Sequence, residues 1–304
     1  MLRALADGYK CLNTAMELMM NMFSGLSAFP ITPIDEDGHL DKVMFANILE
    51  PLVDAGVSSV GLLGSTGAFA YLHENQRKNV LEVAVDIIDG RIPIIVGVGA
   101  MRTSWSEDLA RHAEQAGAQA LLLPPMSYQP LVEEEVYHHF ENVASSCSLP
   151  LCVYNNPRTT KFNFSHQLIG RLAQLPTIQA IKMPLPNAGS IASELHDLRK
   201  IVSQDFAVGY SGDWGAHEAL KAGAACWYSV VAGVLPYHGR ALVHATEEGN
   251  HTRAQIIDDA FAPLWALFQE KGSYRVVFGL VQVLGLGSLN PLRPIFLLGM
   301  KIFT

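Results

Sequence analysis

The feature that most restricts the fold of this chain is a regular alternation of short apolar runs with longer segments of helical period. From Ser24 onward the alternation repeats eight times. Strands that are apolar on both faces are typical of parallel sheets covered by helices, so each run predicts a buried parallel strand. The runs are Gly25–Ile34, Ser58–Ser65, Ile92–Gly99, Ala118–Pro124, Leu149–Tyr154, Ile178–Met183, Phe206–Ser211 and Ala225–Ala232.

The segments between the runs predict the covering helices. Eight strand–helix units without a linker between them favour an α/β fold closed into a (β/α)8 TIM barrel. The alternative, a doubly wound open sheet, usually has fewer units, and its dinucleotide-binding members carry a Gly-rich turn that is absent after Thr32-Pro33-Ile34-Asp35. The predicted helices include Asp41–Ala55, Glu74–Ile88, Ser106–Gln115, Glu133–Ser146, Ser165–Leu175, Ala192–Val202 and Gly215–Ala222.

The domain organisation follows from this pattern. We predict an N-terminal extension of residues 1–23, a barrel of residues 24–250 and a C-terminal helical region of residues 251–304 packed on the barrel. The extension carries acids as well as bases and lacks a clean apolar run with a cleavage site, which is not typical of a signal peptide. A helical appendage and a start codon upstream of the true one are both compatible with it.

Composition and charge restrict the partners and the compartment. Apolar residues make up 49% of the chain and charged residues 16%, which indicates a large buried core. The net charge is −8 and the 21 basic residues are scattered, which argues against nucleic acid and against an anionic membrane surface as partners. The sequence shows no apolar segment long enough to span a bilayer. Free thiols in a reducing cytoplasm are the expectation for the cysteines, which form no CxxC pair and are Cys11, Cys147, Cys152 and Cys226.

Lys182 is the most informative residue at the predicted strand ends, where barrel enzymes place their active sites. It is the only one of the nine lysines at the exit of a barrel strand. An apolar wall disfavours the ammonium and so favours the free amine, which is the nucleophile. Taken alone, a lysine at the end of a strand is as often a structural residue or a simple charge anchor as a catalytic nucleophile. The other strand ends supply Gly64-Ser65-Thr66-Gly67, Tyr154-Asn155-Asn156-Pro157, Ser211-Gly212-Asp213 and Tyr228-Ser229.

Two of these strand ends suit chemistry beside Lys182. Tyr154 precedes Lys182 by 28 residues, one β/α unit, so the two side chains are expected on neighbouring strands. A phenol there can relay protons to and from a bound substrate. The turn from Gly64 to Gly67 offers hydroxyls and main-chain N–H groups to a carboxylate, because its glycines allow close approach. Many tight turns share this composition, so the turn by itself is weak evidence.

Together these motifs resemble the dihydrodipicolinate synthase and N-acetylneuraminate lyase family of Schiff-base class I aldolases. The resemblance covers nearly the whole chain after residue 24. It rests on five segments, which are Ala28-Phe29-Pro30-Ile31-Thr32-Pro33, Gly64-Ser65-Thr66-Gly67, Tyr154-Asn155-Asn156-Pro157, Ile181-Lys182 and Ser211-Gly212-Asp213.

The resemblance implies a lyase that holds pyruvate or another 2-oxo acid on Lys182 as a Schiff base. It makes Tyr154 the proton-relaying phenol and gives Thr66 a catalytic role beside it. It implies a small 2-oxo acid as partner and a homotetramer built from tight dimers. It implies no metal and no diffusible cofactor. The implied substrate-binding residues are Ser65, Thr66, Gly67, Arg158 and, more weakly, Tyr228, which replaces an aliphatic residue of the family's pyruvate pocket.

Three departures from the synthases of this family bear on the second substrate. Thr159 stands where they carry a carboxylate-binding arginine, and Arg158 comes one residue earlier. Ser127 stands where a tyrosine reaches across the dimer, with Tyr128 one step along, and Ala68 replaces a glutamate.

These departures favour an aldolase, hydratase-aldolase or dehydratase acting on another 2-oxo acid. A genuine 4-hydroxy-tetrahydrodipicolinate synthase of lysine biosynthesis is the alternative. A non-catalytic binding or regulatory member is the second alternative, against which Lys182 and Tyr154 argue, because a binding protein needs no nucleophile.

Two adjacent histidines stand out as a possible metal site. His138 and His139 follow the acidic run Glu133-Glu134-Glu135 on a predicted helix. No third ligand follows at a spacing typical of a metal site, so we predict solvated side chains and no metal there.

Overall fold

The computed structural model describes residues 22–303, and their strands form a closed barrel. All neighbouring strands are parallel and follow chain order, from β1 beside β2 round to β8 beside β1. The (β/α)8 barrel predicted from the sequence is therefore confirmed. The strands are β1 (Gly25–Ala28), β2 (Ser59–Leu62), β3 (Ile94–Gly97), β4 (Ala120–Leu123), β5 (Leu151–Tyr154), β6 (Ile178–Met183), β7 (Ala207–Tyr210) and β8 (Cys226–Ser229).

Helices surround the barrel, and further helices follow its last strand. Short 3₁₀ turns lie at Phe69–Tyr71, Asp213–Gly215, Val231–Gly233 and Met300–Ile302. The helices are α1 (Lys42–Asp54), α2 (Glu74–Ile88), α3 (Thr103–Ala116), α4 (Glu133–Ser145), α5 (Pro157–Thr160), α6 (His166–Leu172), α7 (Ile191–Arg199), α8 (Ala216–Lys221), α9 (Pro236–Glu247), α10 (His251–Lys271) and α11 (Ser273–Val283).

The interior of the barrel is filled by every second residue of the strands. On β5 these are Cys152 and Tyr154, and on β6 they are Ala180 and Lys182. Because side chains alternate between the two faces of a strand, Lys182 points inward whenever Ala180 does. The opposite faces of the strands pack against the helices and form the larger apolar core.

The C-terminal helices bury aromatic side chains. On α10 the rings of Phe261 and Trp265 stack with centroids 4.8 Å apart, and Trp265 Nε1 donates to Asp258 Oδ1 at 2.9 Å. No helix in residues 22–303 is long and apolar enough to cross a membrane. The division into an extension, a barrel and a C-terminal region stays a prediction, and the extension lies outside the described residues except for Met22 and Phe23.

The structure supplies one set of helix bounds and corrects one expectation. Helix α9 follows β8, as eight strand–helix units imply, and buries Gly239, Leu242 and Val243 on one face, but its bounds were not among those predicted. Of the histidine pair, only His138 is exposed. His139 is buried on α4, and its Nδ1 lies 3.0 Å from Thr103 Oγ1, so the prediction of two solvated side chains was wrong for His139.

Candidate active site

Lys182 lies inside the barrel at the end of β6, opposite Tyr154 on β5. The two residues are Cα partners in the parallel ladder, and Asn155 N donates to Lys182 O at 3.0 Å just beyond it. Only 3% of Lys182 is exposed. The main chain therefore sets the spacing of the two side chains, as expected for neighbouring strands.

Aromatic rings surround the Lys182 nitrogen. Nζ lies 3.7 Å from the ring centroid of Phe29, 4.5 Å from that of Tyr154 and 5.6 Å from that of Tyr228. Within the described part of the chain, no carboxylate forms an ion pair with Lys182. The ring faces attract the ammonium, while their apolar bodies keep water away from the amine.

Two of these rings fit because glycines leave room for them. A side chain at Gly61 would overlap the ring of Phe29, and a Cβ at Gly64 would lie 2.8 Å from it. A Cβ at Gly209 would lie 2.6 Å from Tyr228 Cε2. Tyr228 is fully buried, its hydroxyl lies 3.5 Å from Cys152 Sγ, and burial raises the pKa of its phenol. Tyr228 therefore stays protonated and contributes shape to the pocket.

The hydroxyl of Tyr154 has two polar neighbours. Ser65 Oγ lies 3.2 Å from Tyr154 Oη, and Asn156 Nδ2 donates to the same oxygen at 3.1 Å. Ser65 belongs to the turn after β2 and Asn156 to the loop after β5, so these bonds join two strand ends around one phenol. The structure thus brings together Lys182, Tyr154 and Ser65 from the predicted set.

The turn after β2 has an unusual backbone. Leu63 and Ala68 adopt left-handed conformations with φ of 53° and 57°, which cost non-glycine residues about 1–3 kcal/mol each. Gly67 is needed because a Cβ there would lie 2.8 Å from Leu63 N, and Thr32 Oγ1 anchors its carbonyl at 2.8 Å. Strain of this kind persists only where the surrounding structure holds it in place.

The same turn offers free main-chain donors. In residues 22–303, the N–H groups of Ser65, Thr66 and Gly67 donate to no protein acceptor. Thr66 is buried and Ser65 is half-buried. Consecutive N–H groups without acceptors can form an anion site, so the turn remains a candidate for a carboxylate.

Asp213 connects the ends of β7 and β8. Its Oδ1 accepts from Ser229 Oγ at 2.7 Å and from Val231 N at 3.1 Å. Burial raises the pKa of this carboxyl, whereas the bonds from Ser229 and Val231 and the charge of Lys182 act in the opposite direction. Asp213 thereby holds the strand that carries Tyr228.

Arg77 of α2 supports the end of β3, a role that sequence reasoning missed. Its Nη atoms donate to Gly99 O at 2.9 Å and Gly97 O at 2.8 Å. Burial lowers the pKa of its guanidinium to about 10, so it remains charged at neutral pH. The missed signal was its place on the apolar face of α2, four residues before Leu81.

The remaining predicted residues lie at the rim. Arg158 is exposed, and its guanidinium has no hydrogen bond or ion pair within the described residues. Tyr128 is 86% exposed on the loop after β4. Thr159 Oγ1 donates to Asn156 O at 3.2 Å.

A barrel with a buried lysine at the end of β6 and a tyrosine beside it on β5 is the arrangement expected of a lyase of the class I aldolase type. The sequence model of the Dihydrodipicolinate synthetase family matches residues 22–300, and the chain belongs to that family. This confirms the resemblance seen in the strand-end motifs.

Individual relatives agree with this assignment. The chain is 35% identical over 263 residues to a 4-hydroxy-tetrahydrodipicolinate synthase of Methanothrix thermoacetophila. The aligned region covers 84% of this chain and 88% of the relative. It is 50% identical to the crystal structure of a dihydrodipicolinate synthase from Agrobacterium tumefaciens, with a TM-score of 0.91 over 93% of this chain and 96% of that one. A dihydrodipicolinate synthase from Aquifex aeolicus is 27% identical, with a TM-score of 0.85 over 92% and 94% of the two chains.

Proposed function

We propose that this enzyme binds pyruvate or a related 2-oxo acid as a Schiff base on Lys182 and makes or breaks a bond next to it. The observation that carries the proposal is the Lys182 nitrogen, which lies in a ring-lined pocket beside Tyr154 without a carboxylate partner among the described residues. A nucleophilic amine needs such a place, whereas a structural lysine would gain from an ion pair.

The bound acid is oriented by its carboxylate. The N–H groups of Ser65, Thr66 and Gly67, together with the Ser65 and Thr66 hydroxyls, supply donors on the side of the pocket that also contacts Tyr154. A carboxylate held there places the adjacent carbonyl carbon within reach of Lys182. Thr66 acts in the proposal both on the carboxylate and beside the phenol.

The proton transfers balance through Tyr154. The free amine of Lys182 adds to C2, and a proton moves from nitrogen to oxygen to form a carbinolamine. Tyr154 gives its proton to the departing hydroxyl, so that water leaves and the C=N bond forms. The phenolate then takes a proton from C3, which yields an enamine and restores the phenol. The enamine carbon adds to an aldehyde whose oxygen takes up a proton, and water then hydrolyses the iminium and frees Lys182. The reverse sequence releases an aldehyde.

The experiment that tests this function is borohydride reduction in the presence of pyruvate. We expect a single adduct by intact mass, on the peptide that contains Lys182. Lys182→Ala should form no adduct and keep its thermal transition, since one side chain contributes little to the barrel. An adduct on another lysine, or none with a panel of 2-oxo acids, would overturn the proposal.

A second candidate, 4-hydroxy-tetrahydrodipicolinate synthase, is favoured by the names of the relatives. Against it stand Thr159, in place of the carboxylate-binding arginine, and Tyr128, whose side chain extends into solvent. We therefore propose an aldolase, hydratase-aldolase or dehydratase with a different second substrate or leaving group.

Assembly and compartment belong to the same proposal. We propose a homo-oligomer, a dimer of dimers, as the resemblance to the family implies, and the exposed rings of Trp105 on α3 and Tyr128 on the loop after β4 are available for such contacts. We propose a cytoplasmic enzyme because Cys147, Cys152 and Cys226 are free thiols. The scattered basic residues support a small-molecule partner rather than nucleic acid. Light scattering on the purified chain measures the oligomeric state.

A further inference from the structure

The Asn156 side chain contacts the Tyr154 phenol instead of capping a helix. Asn156 stands at the N-cap of α5, where an asparagine usually accepts a hydrogen bond from the first turn. Its side chain makes no such bond. The amide is turned toward Tyr154, and Nδ2 donates to Oη at 3.1 Å.

Other groups hold the Asn156 backbone in place. Its carbonyl accepts from the N–H groups of Thr159 and Thr160, each at 3.0 Å. The Thr160 hydroxyl adds a third donor at 3.0 Å. The backbone of Asn156 is thus positioned without its side chain, which leaves the amide available for Tyr154.

We propose that Asn156 is a positioning residue that directs the Tyr154 proton toward the Schiff base. An amide nitrogen only donates, so it occupies a lone pair of Oη and accepts no proton from it. The phenol proton must then point toward Ser65 or toward the substrate. A donor at this place also stabilises the phenolate that forms when Tyr154 gives up its proton.

This inference rests on the proposed function and adds to it a relay held within one subunit. Ser65, Tyr154 and Asn156 all belong to the same chain, and their bonds need no residue of a partner. Tyr128 is 86% exposed in the single chain, and the hydrogen bonds to Tyr154 Oη among the described residues come from Ser65 and Asn156. Asn156 is the second hydrogen-bond partner of the phenol oxygen, beside Ser65.

The test uses exchange of the pyruvate methyl protons for deuterium, followed by proton NMR in D2O. Exchange requires the imine and the enamine but no second substrate, so it reports the relay directly. Asn156→Asp keeps the shape and is a good N-cap, but it replaces the donor by an anionic acceptor that draws the phenol proton away. Asn156→Ala removes the amide altogether.

We expect exchange to fall about 10–100-fold in Asn156→Asp, which is about 1.4–2.7 kcal/mol at 1.36 kcal/mol per tenfold. Asn156→Ala should fall less, and the pyruvate concentration for half-maximal exchange should change little in both. A purely structural role predicts the opposite order, with Asn156→Asp near wild type, because aspartate caps helices well. That order would overturn the inference.

A double substitution shows whether Asn156 acts through Tyr154. In the Tyr154→Phe background, Asn156→Asp should cause no further loss of exchange, since the group it positions is gone. An additive loss would overturn the inference. Thr160→Val is the matched control, because it removes a bond to the Asn156 carbonyl and leaves the amide intact, and its exchange should stay within about twofold of wild type.

Borohydride trapping distinguishes a failure of the proposed function from a failure of the role of Asn156. If wild type forms no adduct at Lys182 and exchanges no protons, the proposed function fails. If wild type does both and Asn156→Asp exchanges equally fast, only the role of Asn156 fails. Should Asn156→Ala not fold, the shape-conserving Asn156→Asp and the double substitution decide by themselves.

Discussion

Phe29 lies nearer to the Lys182 nitrogen than the other rings that contact it, at 3.7 Å from the ring centroid. Its ring is buried, meets Tyr228 edge to face at 6.0 Å between centroids, and fills the space that Gly61 and Gly64 leave open. A side chain at this place limits how large a 2-oxo acid the lysine can hold. Phe29 was quoted in the sequence only for a motif, because nothing in the pattern of β1 shows what lies across the barrel.

Phe29→Leu should widen the acceptance of 2-oxo acids. The smaller side chain opens space for one more methylene, and a methylene in an apolar pocket changes discrimination by about 10–200-fold. We expect the ratio of 2-oxobutyrate to pyruvate adducts to rise about tenfold in competitive borohydride trapping, read by intact mass. Phe140→Leu, a buried substitution on α4, is the control. An equal change in both variants, or none in Phe29→Leu, would contradict this role.

Arg158 is the arginine nearest to the position where the synthases bind the second carboxylate. Its guanidinium is exposed, and Thr159 stands at the arginine position itself. A lost charge-assisted pair costs about 1.5–3 kcal/mol, and the displaced Tyr128 removes a second contact. We expect condensation of pyruvate with aspartate semialdehyde at least about 10²-fold below the kcat/KM of a true synthase, in a coupled reductase assay. Robust turnover, or growth of a strain that needs diaminopimelate, would show that Arg158 binds the second carboxylate. Arg158→Ala would then abolish that turnover.

At the scale of elements, α2 is attached to the barrel by a buried charge. Arg77 donates to the carbonyl groups of Gly97 and Gly99 at the end of β3, and its guanidinium lies over the ring of Phe69 at 5.4 Å. A planar guanidinium can bridge two carbonyl groups, which the single ammonium of a lysine does less well. One residue thereby fixes the position of a whole helix against a strand end.

Arg77→Met should lower the free energy of unfolding by about 2–3 kcal/mol, because two buried carbonyl groups lose a charged donor. Arg77→Lys should lose less, since the charge remains. Urea denaturation measures both. Lys78→Met is the control, because Lys78 forms only a surface ion pair with Glu74 and its loss should cost less than about 1 kcal/mol. Equal losses in Arg77→Met and Lys78→Met would refute the role.

His139 joins α4 to Thr103 of α3, and its Nε2 has no partner in the described structure. Burial lowers the pKa of His139 from 6.5 to about 4. Between these values the unfolded chain binds a proton that the native chain does not, so stability falls as the pH drops. The stability is fully present above pH 6.5 and is lost toward pH 4.

His139→Gln should therefore flatten the acid limb of the stability curve by about 3 kcal/mol between pH 6.5 and pH 4, at 1.36 kcal/mol per pH unit. Denaturation series at several pH values measure the difference from wild type. His138→Gln is the control, since His138 is exposed next to Glu134 and Glu141 and should change the curve little. A His139→Gln curve parallel to that of wild type would contradict the assignment.

How much the sequence could predict depends on whether a feature follows from a period along the chain. The eight strands follow from apolar runs, and the nearness of Lys182 to Tyr154 follows from one β/α unit of spacing. The period of α2 does not show that Arg77 reaches the end of β3, and His139 was predicted to be solvated together with its exposed neighbour His138. The contacts of Phe29 depend on packing between distant segments, and the bond from Asn156 to Tyr154, two residues earlier, depends on how one side chain is turned. A period along the chain records neither. The roles of Ser65, Thr66, Gly67, Arg158 and Tyr228 in binding stay predictions.

At the scale of the whole molecule, the two halves of the proposed reaction lie on different parts of the fold. The lysine and the phenol stand on adjacent strands whose register is held by main-chain hydrogen bonds. At the rim, Arg158 on the one-turn helix α5 and Tyr128 on the loop after β4 are exposed. Loops tolerate change far better than buried strands do.

The β5–β6 ladder therefore fixes the spacing of Tyr154 and Lys182, while the exposed segments above it can be exchanged. Grafting other segments onto residues 125–130 and 158–161 would keep Asn156 and change which aldehyde meets the enamine, while the strands that carry Lys182 and Tyr154 stay about 4.8 Å apart. The same arrangement ties imine formation to the barrel, since the main chains that carry the pair cannot separate without breaking the β5–β6 ladder. Trapping by borohydride would then serve as a folding assay for any library built on this rim.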